Sequence, residues 1–196
     1  DEGVGGVAVH IANDGPTPLR ARLRVALYRG FEESLDQAAI EIDLPPHAAS
    51  AHNVEQLLGR FVDAAWAYRF GPATQDLIVL SLERYDDERG GLISQAFHMP
   101  AGRPTAQETP EALGIQAVLR GADDDTPVLS VSSRRLAYGV RINVPGWTPA
   151  DDSFSVEPGH SRQVSLERAG GAMPSAGSVT ALNLAGSVPI HLESAE

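Results

Sequence analysis

Acidic residues crowd into three short runs: Asp86, Asp87 and Glu88; Asp123, Asp124 and Asp125; Asp151 and Asp152. Two facing carboxylates are what glycoside hydrolysis requires, one to protonate the leaving oxygen and one to attack or to activate water. Runs of carboxylates are also what calcium takes, since it gathers about six to eight oxygens. Here each run is flanked by turn formers, such as Gly90 and Gly91, Gly121 and Pro127, or Pro149 and Ser153. No apolar stretch surrounds them to raise a carboxyl pKa, and Asp favours turns because its side chain bonds to nearby backbone. The runs therefore read as solvated turns. Neither EF-hand spacing nor a nonapeptide repeat is present to build a calcium loop.

The histidines, His10, His47, His52, His98, His160 and His191, include no H-E-x-x-H pair that would put two on one metal. No G-x-S-x-G elbow marks a serine nucleophile. The glycines at 3, 5 and 6 precede a strand instead of following one, so they do not read as a phosphate loop. There is no cysteine, which removes thiol catalysis, disulfides and cysteine-based zinc sites. No catalytic residue, metal or cofactor is expected of this chain.

What remains is aromatic. Trp66, Tyr68 and Phe70 alternate along residues 64–71, and Trp147 sits in a Pro-Gly turn at 145–149. A row of alternate aromatics on a strand serves either as a sugar-stacking platform or as packing against a core or neighbouring domain. Packing is the favoured reading of the row. For Trp147 the sequence leaves a cap on the fold and a contact with another domain both open. Trp66, Tyr68 and Trp147 are the candidate contact residues, for a saccharide or a domain.

The elements that position them are strands. Residues 4–13 alternate apolar with small or polar types. Along 19–28, Leu19, Ala21, Leu23, Val25 and Leu27 oppose Arg20, Arg22 and Arg24, the period-two pattern of a sheet with one wet face. Further strands are expected at 38–44, 77–82 and 92–99, with a hairpin loop at 85–91 and one helical turn capped by Asn53 within 50–59. Residues 100–105 read as a boundary. Beyond it strands are expected at 115–119, 128–131, 136–144, 153–156, 163–166, 179–184 and 188–192. Fourteen prolines and nineteen glycines punctuate these segments, and a turn signal roughly every ten residues is the rhythm of a sandwich. The expected fold is all-β: two tandem immunoglobulin-like β-sandwich domains, 1–103 and 104–196.

Composition narrows the partners. The net charge of −11, with arginine as the sole basic side chain and no basic stripe, disfavours nucleic acid. The lack of lysine looks like the coding bias of a GC-rich bacterial genome. No apolar run approaches the about 20 residues of a membrane span. The start lacks the basic and apolar regions of a signal peptide. It is Asp instead of Met, as in a processed or excised chain. Absence of cysteine fits a reducing, cytoplasmic setting.

Two sets of segments carry a family resemblance. Residues 67–72 (A-Y-R-F-G-P), 76–79 (D-L-I-V) and 96–104 (A-F-H-M-P-A-G-R-P) resemble the penultimate region of bacterial β-mannosidase-like proteins. Residues 136–140, 144–147 (V-P-G-W), 151–154 (D-D-S-F) and 157–159 (E-P-G) resemble the terminal immunoglobulin-fold domain of β-mannosidases in glycoside hydrolase family 2. Asp152 and Ser153 stand where that family has Asn and Tyr. The resemblance implies a parent that hydrolyses terminal non-reducing β-D-mannose with two glutamates of a (β/α)₈ barrel. This chain lacks the alternating βα pattern and the about 250 residues of such a barrel, so no catalytic residue carries over. The barrel of the parent is the implied partner, with a saccharide as a second. An independent carbohydrate-binding or adhesion-type module is the alternative.

Overall fold

A strand with aliphatics on one face and arginines on the other needs a second sheet over its apolar side. The computed structural model, which describes residues 2–3, 6–67, 71, 73–85, 91–121, 126–170 and 177–193, supplies one in each of two units, Asp1–Arg103 and Pro104–Glu196. The first unit runs β1 (Glu2–Gly3), β2 (Gly6–Asn13), β3 (Leu19–Arg29), β4 (Glu33–Leu44), β5 (Ala48–Asn53), α1 (Val54–Leu58), β6 (Leu77–Arg84) and β7 (Leu92–His98). Its sheets have the orders β1-β2-β5 and β4-β3-β6-β7. Val7 and Ile11 of β2 pack with Leu23, Val25 and Leu27 of β3 and with Ile78, Leu80 and Leu82 of β6.

The arginine face of β3 is wet for part of its length. Arg20 and Arg22 are exposed, whereas Arg24 is half-buried, 3.0 Å from Glu83 Oε1 and 3.1 Å from Ser81 Oγ. Past Arg24, Ala26 and Tyr28 on that face are buried, as is Val79 opposite Ala26. The expected one wet face therefore ends at Arg24.

The expected helical turn is α1. Asn53 Oδ1 accepts from the amides of Glu55 (3.0 Å) and Gln56 (3.2 Å), and Gly59, at φ 67°, ends it in the left-handed region. The cap aims Val54 into the core. Asn53→Ala is expected to cost about 1 kcal/mol and Asn53→Asp much less, checked by urea denaturation.

The second unit runs α2 (Pro110–Leu113), β8 (Gln116–Arg120), β9 (Val128–Ser133), β10 (Ala137–Asn143), β11 (Trp147–Pro149), β12 (Phe154–Val156), β13 (His160–Arg168), β14 (Ser178–Thr180), β15 (Val188–Pro189) and β16 (His191–Leu192). Its sheets have the orders β12-β10-β14-β15 and β11-β13-β9-β8-β16. One apolar core, including Leu119, Leu129, Val140, Trp147, Phe154 and Leu166, lies within the unit. The turns follow from Pro-Gly pairs. Trp147 N donates to Val144 O across Pro145-Gly146, and His160 N to Glu157 O across Pro158-Gly159. Both glycines have positive φ, 79° and 75°, as a type II turn demands at that position.

Three local expectations are corrected. Residues 64–67 are not a strand: Ala64 and Ala65 form a turn and Trp66 lies at φ 50°. Asp63 causes this, since its carbonyl accepts from Trp66 N and its Oδ1 from Ala67 N, a local bonding that competes with any ladder. The single strand expected at 188–192 is two. β15 pairs antiparallel with β14, a register that Ile190 N continues by donating to Gly177 O, and β16 then pairs parallel with β8 in the other sheet. Residues 147–149, expected as part of a break, form β11 against β13.

Candidate functional site

Between α1 and β6 the chain forms a loop held from several sides. Arg60 bonds Asp36 of β4 through Nε (2.8 Å) and Nη2 (2.6 Å). Glu55 Oε1 accepts from Ala64 N at 3.3 Å. Gln75, 1 % exposed, donates through Nε2 to the carbonyls of Val62 (3.2 Å) and Asp63 (3.0 Å). A buried amide satisfied by two loop carbonyls fixes the backbone it touches. Val62 and Ala64 are thereby buried in the core while Phe61 between Arg60 and Val62 remains 69 % exposed. The backbone carries positive φ at Asp63 (42°) as well as at Trp66, a strain the surrounding bonds must hold.

Trp66 is half-buried in this loop, and its indole Nε1 donates to Gly71 O at 3.2 Å. Tyr68 and Phe70 lie outside the described residues. Trp147 stands apart in the second unit, 6 % exposed in the core, with the Arg168 guanidinium 5.5 Å from its ring centre. Trp66 and Trp147 belong to separate units.

Of the acidic runs, 86–88 and 123–125 lie outside the described residues. Asp151 pairs with Arg162, and Asp152 accepts from Arg141 Nη2 (3.1 Å) and from Ile142 N (3.0 Å). These carboxylates brace the stretch between β11 and β12 against β10 and β13. Among the described residues no group of three or more His, Cys, Asp or Glu is placed to hold a metal. The loop at 59–67 holds an exposed Phe61 on a braced backbone. Sequence reasoning missed Phe61 and Gln75. Phe61 carried no signal, being a lone aromatic outside any alternation, whereas the polar Gln75 just before the apolar run of β6 was a legible hint of a buried brace.

No family model and no curated protein matches the sequence. Among solved structures, the β-D-mannosidase of Dictyoglomus thermophilum shares the fold, with a TM-score of 0.62 and 14% identity. The match covers 94% of this chain and 21% of that chain, so this chain spans about a fifth of that enzyme's length.

Proposed function

We propose that this chain is the non-catalytic C-terminal accessory region of a β-mannosidase-type glycoside hydrolase, two sandwiches that buttress the catalytic barrel of the same polypeptide. The observation that carries the reading is the extent of the fold match: both units, 94% of the chain, align in one β-D-mannosidase. The segments that resemble the last two domains of family 2 β-mannosidases point the same way. The parent would release terminal non-reducing β-D-mannose, with its acid/base and nucleophile in the barrel. Phe61, on its braced loop, offers contact area of the kind domain interfaces use.

The test has two parts. The purified chain is expected to show no turnover of an aryl β-mannoside above buffer, and the gene to encode a (β/α)₈ barrel in frame upstream. Turnover by the pure chain, or an upstream frame of further sandwiches with an export signal, overturns the reading. Calorimetry with mannose and manno-oligosaccharides separates the alternative: saccharide binding lost in Trp66→Ala would make the first unit a carbohydrate-binding module.

A further inference from the structure

The turn from β2 to β3 begins Asn13-Asp14-Gly15-Pro16, and Asp14-Gly15 is the chain's one Asp-Gly pair. An aspartate followed by glycine can react with its own backbone. The amide nitrogen of the next residue attacks the carboxyl carbon, and glycine lacks the Cβ that hinders this approach in other residues. Asp14 is exposed and lies outside any ladder, where loops have most freedom to move. What the fold adds is Asn13. Its Oδ1 accepts from Gly15 N at 3.1 Å, an Asx-turn that occupies the nitrogen the reaction needs. Asn13 is itself held. Its Nδ2 shares two protons among Thr17 O (2.9 Å), Pro45 O (3.0 Å) and Leu44 O (3.3 Å), so one amide ties the turn to the end of β4. Its backbone lies in the ladder opposite Ala48 of β5. A held N–H keeps its proton and points at Asn13 instead of presenting its nitrogen to Asp14 Cγ. The turn must open before attack, so the rate is that of the free reaction scaled by the open fraction.

We propose that Asp14 is a spontaneous modification site, an aspartyl-to-isoaspartyl isomerisation site that the Asn13 clamp keeps latent. In the first step Gly15 N bonds to Asp14 Cγ and the Cγ–hydroxyl bond of the protonated carboxyl breaks. The hydroxyl leaves with the amide proton as water. Water then adds to the five-membered imide. Opening at Cγ returns aspartate, whereas opening at the main-chain carbonyl carbon of Asp14 routes the backbone through Cγ and frees an α-carboxylate. One water is lost and one regained, nothing is oxidised or reduced, and mass is unchanged. The site is independent of what the parent protein does, because the reacting atoms and the clamp lie within the turn and its neighbours.

The experiment ages the 1–196 chain at neutral pH and follows, by chromatography, the mass-neutral isomer of the peptide that contains residue 14. Amide exchange in β3 reports whether each sample is folded. Unfolding the parent chain in guanidinium is expected to speed isomer formation by roughly tenfold or more. Folded Asn13→Ala should form it faster than the folded parent by a similar factor, with exchange in β3 unchanged. Asn13→Ser still offers an oxygen to Gly15 N but donates to fewer of the three carbonyls, so its rate should fall between the two. It carries the comparison if the alanine variant does not fold. Adding Gly15→Ala to Asn13→Ala should suppress the isomer. Equal rates in the folded parent and in whichever Asn13 variant folds overturn the clamp. No isomer at residue 14 in the unfolded chain, or one rate for the parent whether folded or not, overturns the latent site.

Discussion

Trp147→Ala is expected to destabilise the second unit by about 3–5 kcal/mol, the usual cost of removing a buried Trp and leaving its cavity. The ring sits in a core with Phe154, Val164 and Leu166, and the Arg168 guanidinium lies over it. Its backbone is fixed as well, closing the Pro145-Gly146 turn onto Val144 O and pairing with Arg168 in β11. A core so held collapses little when the ring is removed, which places the cost toward the upper part of that range. Trp147→Phe keeps part of the volume and should cost less than half as much. The two tryptophans fall one to each unit, so fluorescence of Trp147→Ala follows the first unit and far-ultraviolet circular dichroism follows both. The first transition should stay put while the second moves to lower denaturant. A loss under about 1 kcal/mol would mean that the ring is not part of the core. A contact role toward a saccharide or another domain would instead weaken binding and leave both transitions in place.

How much of this was legible depended on which force decided each segment. Residues 19–24 were readable because one face of β3 feeds the core there while the other meets solvent, and past Arg24 both faces are buried, so the alternation no longer marks a wet side. Asn53 was readable because capping is local chemistry, visible in one residue and its followers. The stretch at 64–67 misled for the opposite reason. Trp66 opens an alternation of aromatics, but Asp63 bonds its own neighbours and takes the backbone at 64–67 into a turn. At 188–192 the apolar pattern is continuous, yet periodicity carries no information about which sheet a residue joins, and the chain changes sheets after Ile190. The candidate site fared least well. Exposure of Phe61 is set by the braces from Gln75, Glu55 and Asp36, residues distant in sequence, and nothing at position 61 encodes it.

Asn183→Leu should cost about 2–4 kcal/mol although it keeps the volume of a buried side chain. Strand β10 carries a bulge, its register against β12 shifting between Ala137 and Val140, with Gly139 at φ 62°. A bulge takes backbone groups out of the ladder, and here Asn183, 2 % exposed, collects them. Its Nδ2 donates to Leu136 O and its Oδ1 accepts from Tyr138 N, both at 2.8 Å. Leucine satisfies neither. Each buried group so orphaned costs about 1–3 kcal/mol, and Tyr138 N, being part-buried, recovers some of its share from water. Asn183→Asp makes the sharper test. It keeps the acceptor for Tyr138 N but sets a carboxylate oxygen against the Leu136 carbonyl. Protonating that carboxyl restores a donor, so the folded variant binds a proton more tightly than the unfolded chain. Its stability must then fall as pH rises. The deficit of Asn183→Asp against the parent chain should be largest at neutral pH and shrink toward about pH 4, while that of Asn183→Leu stays flat across the same range. Parallel curves for the two variants in guanidinium titrations would show that the bulge does not depend on the amide donor.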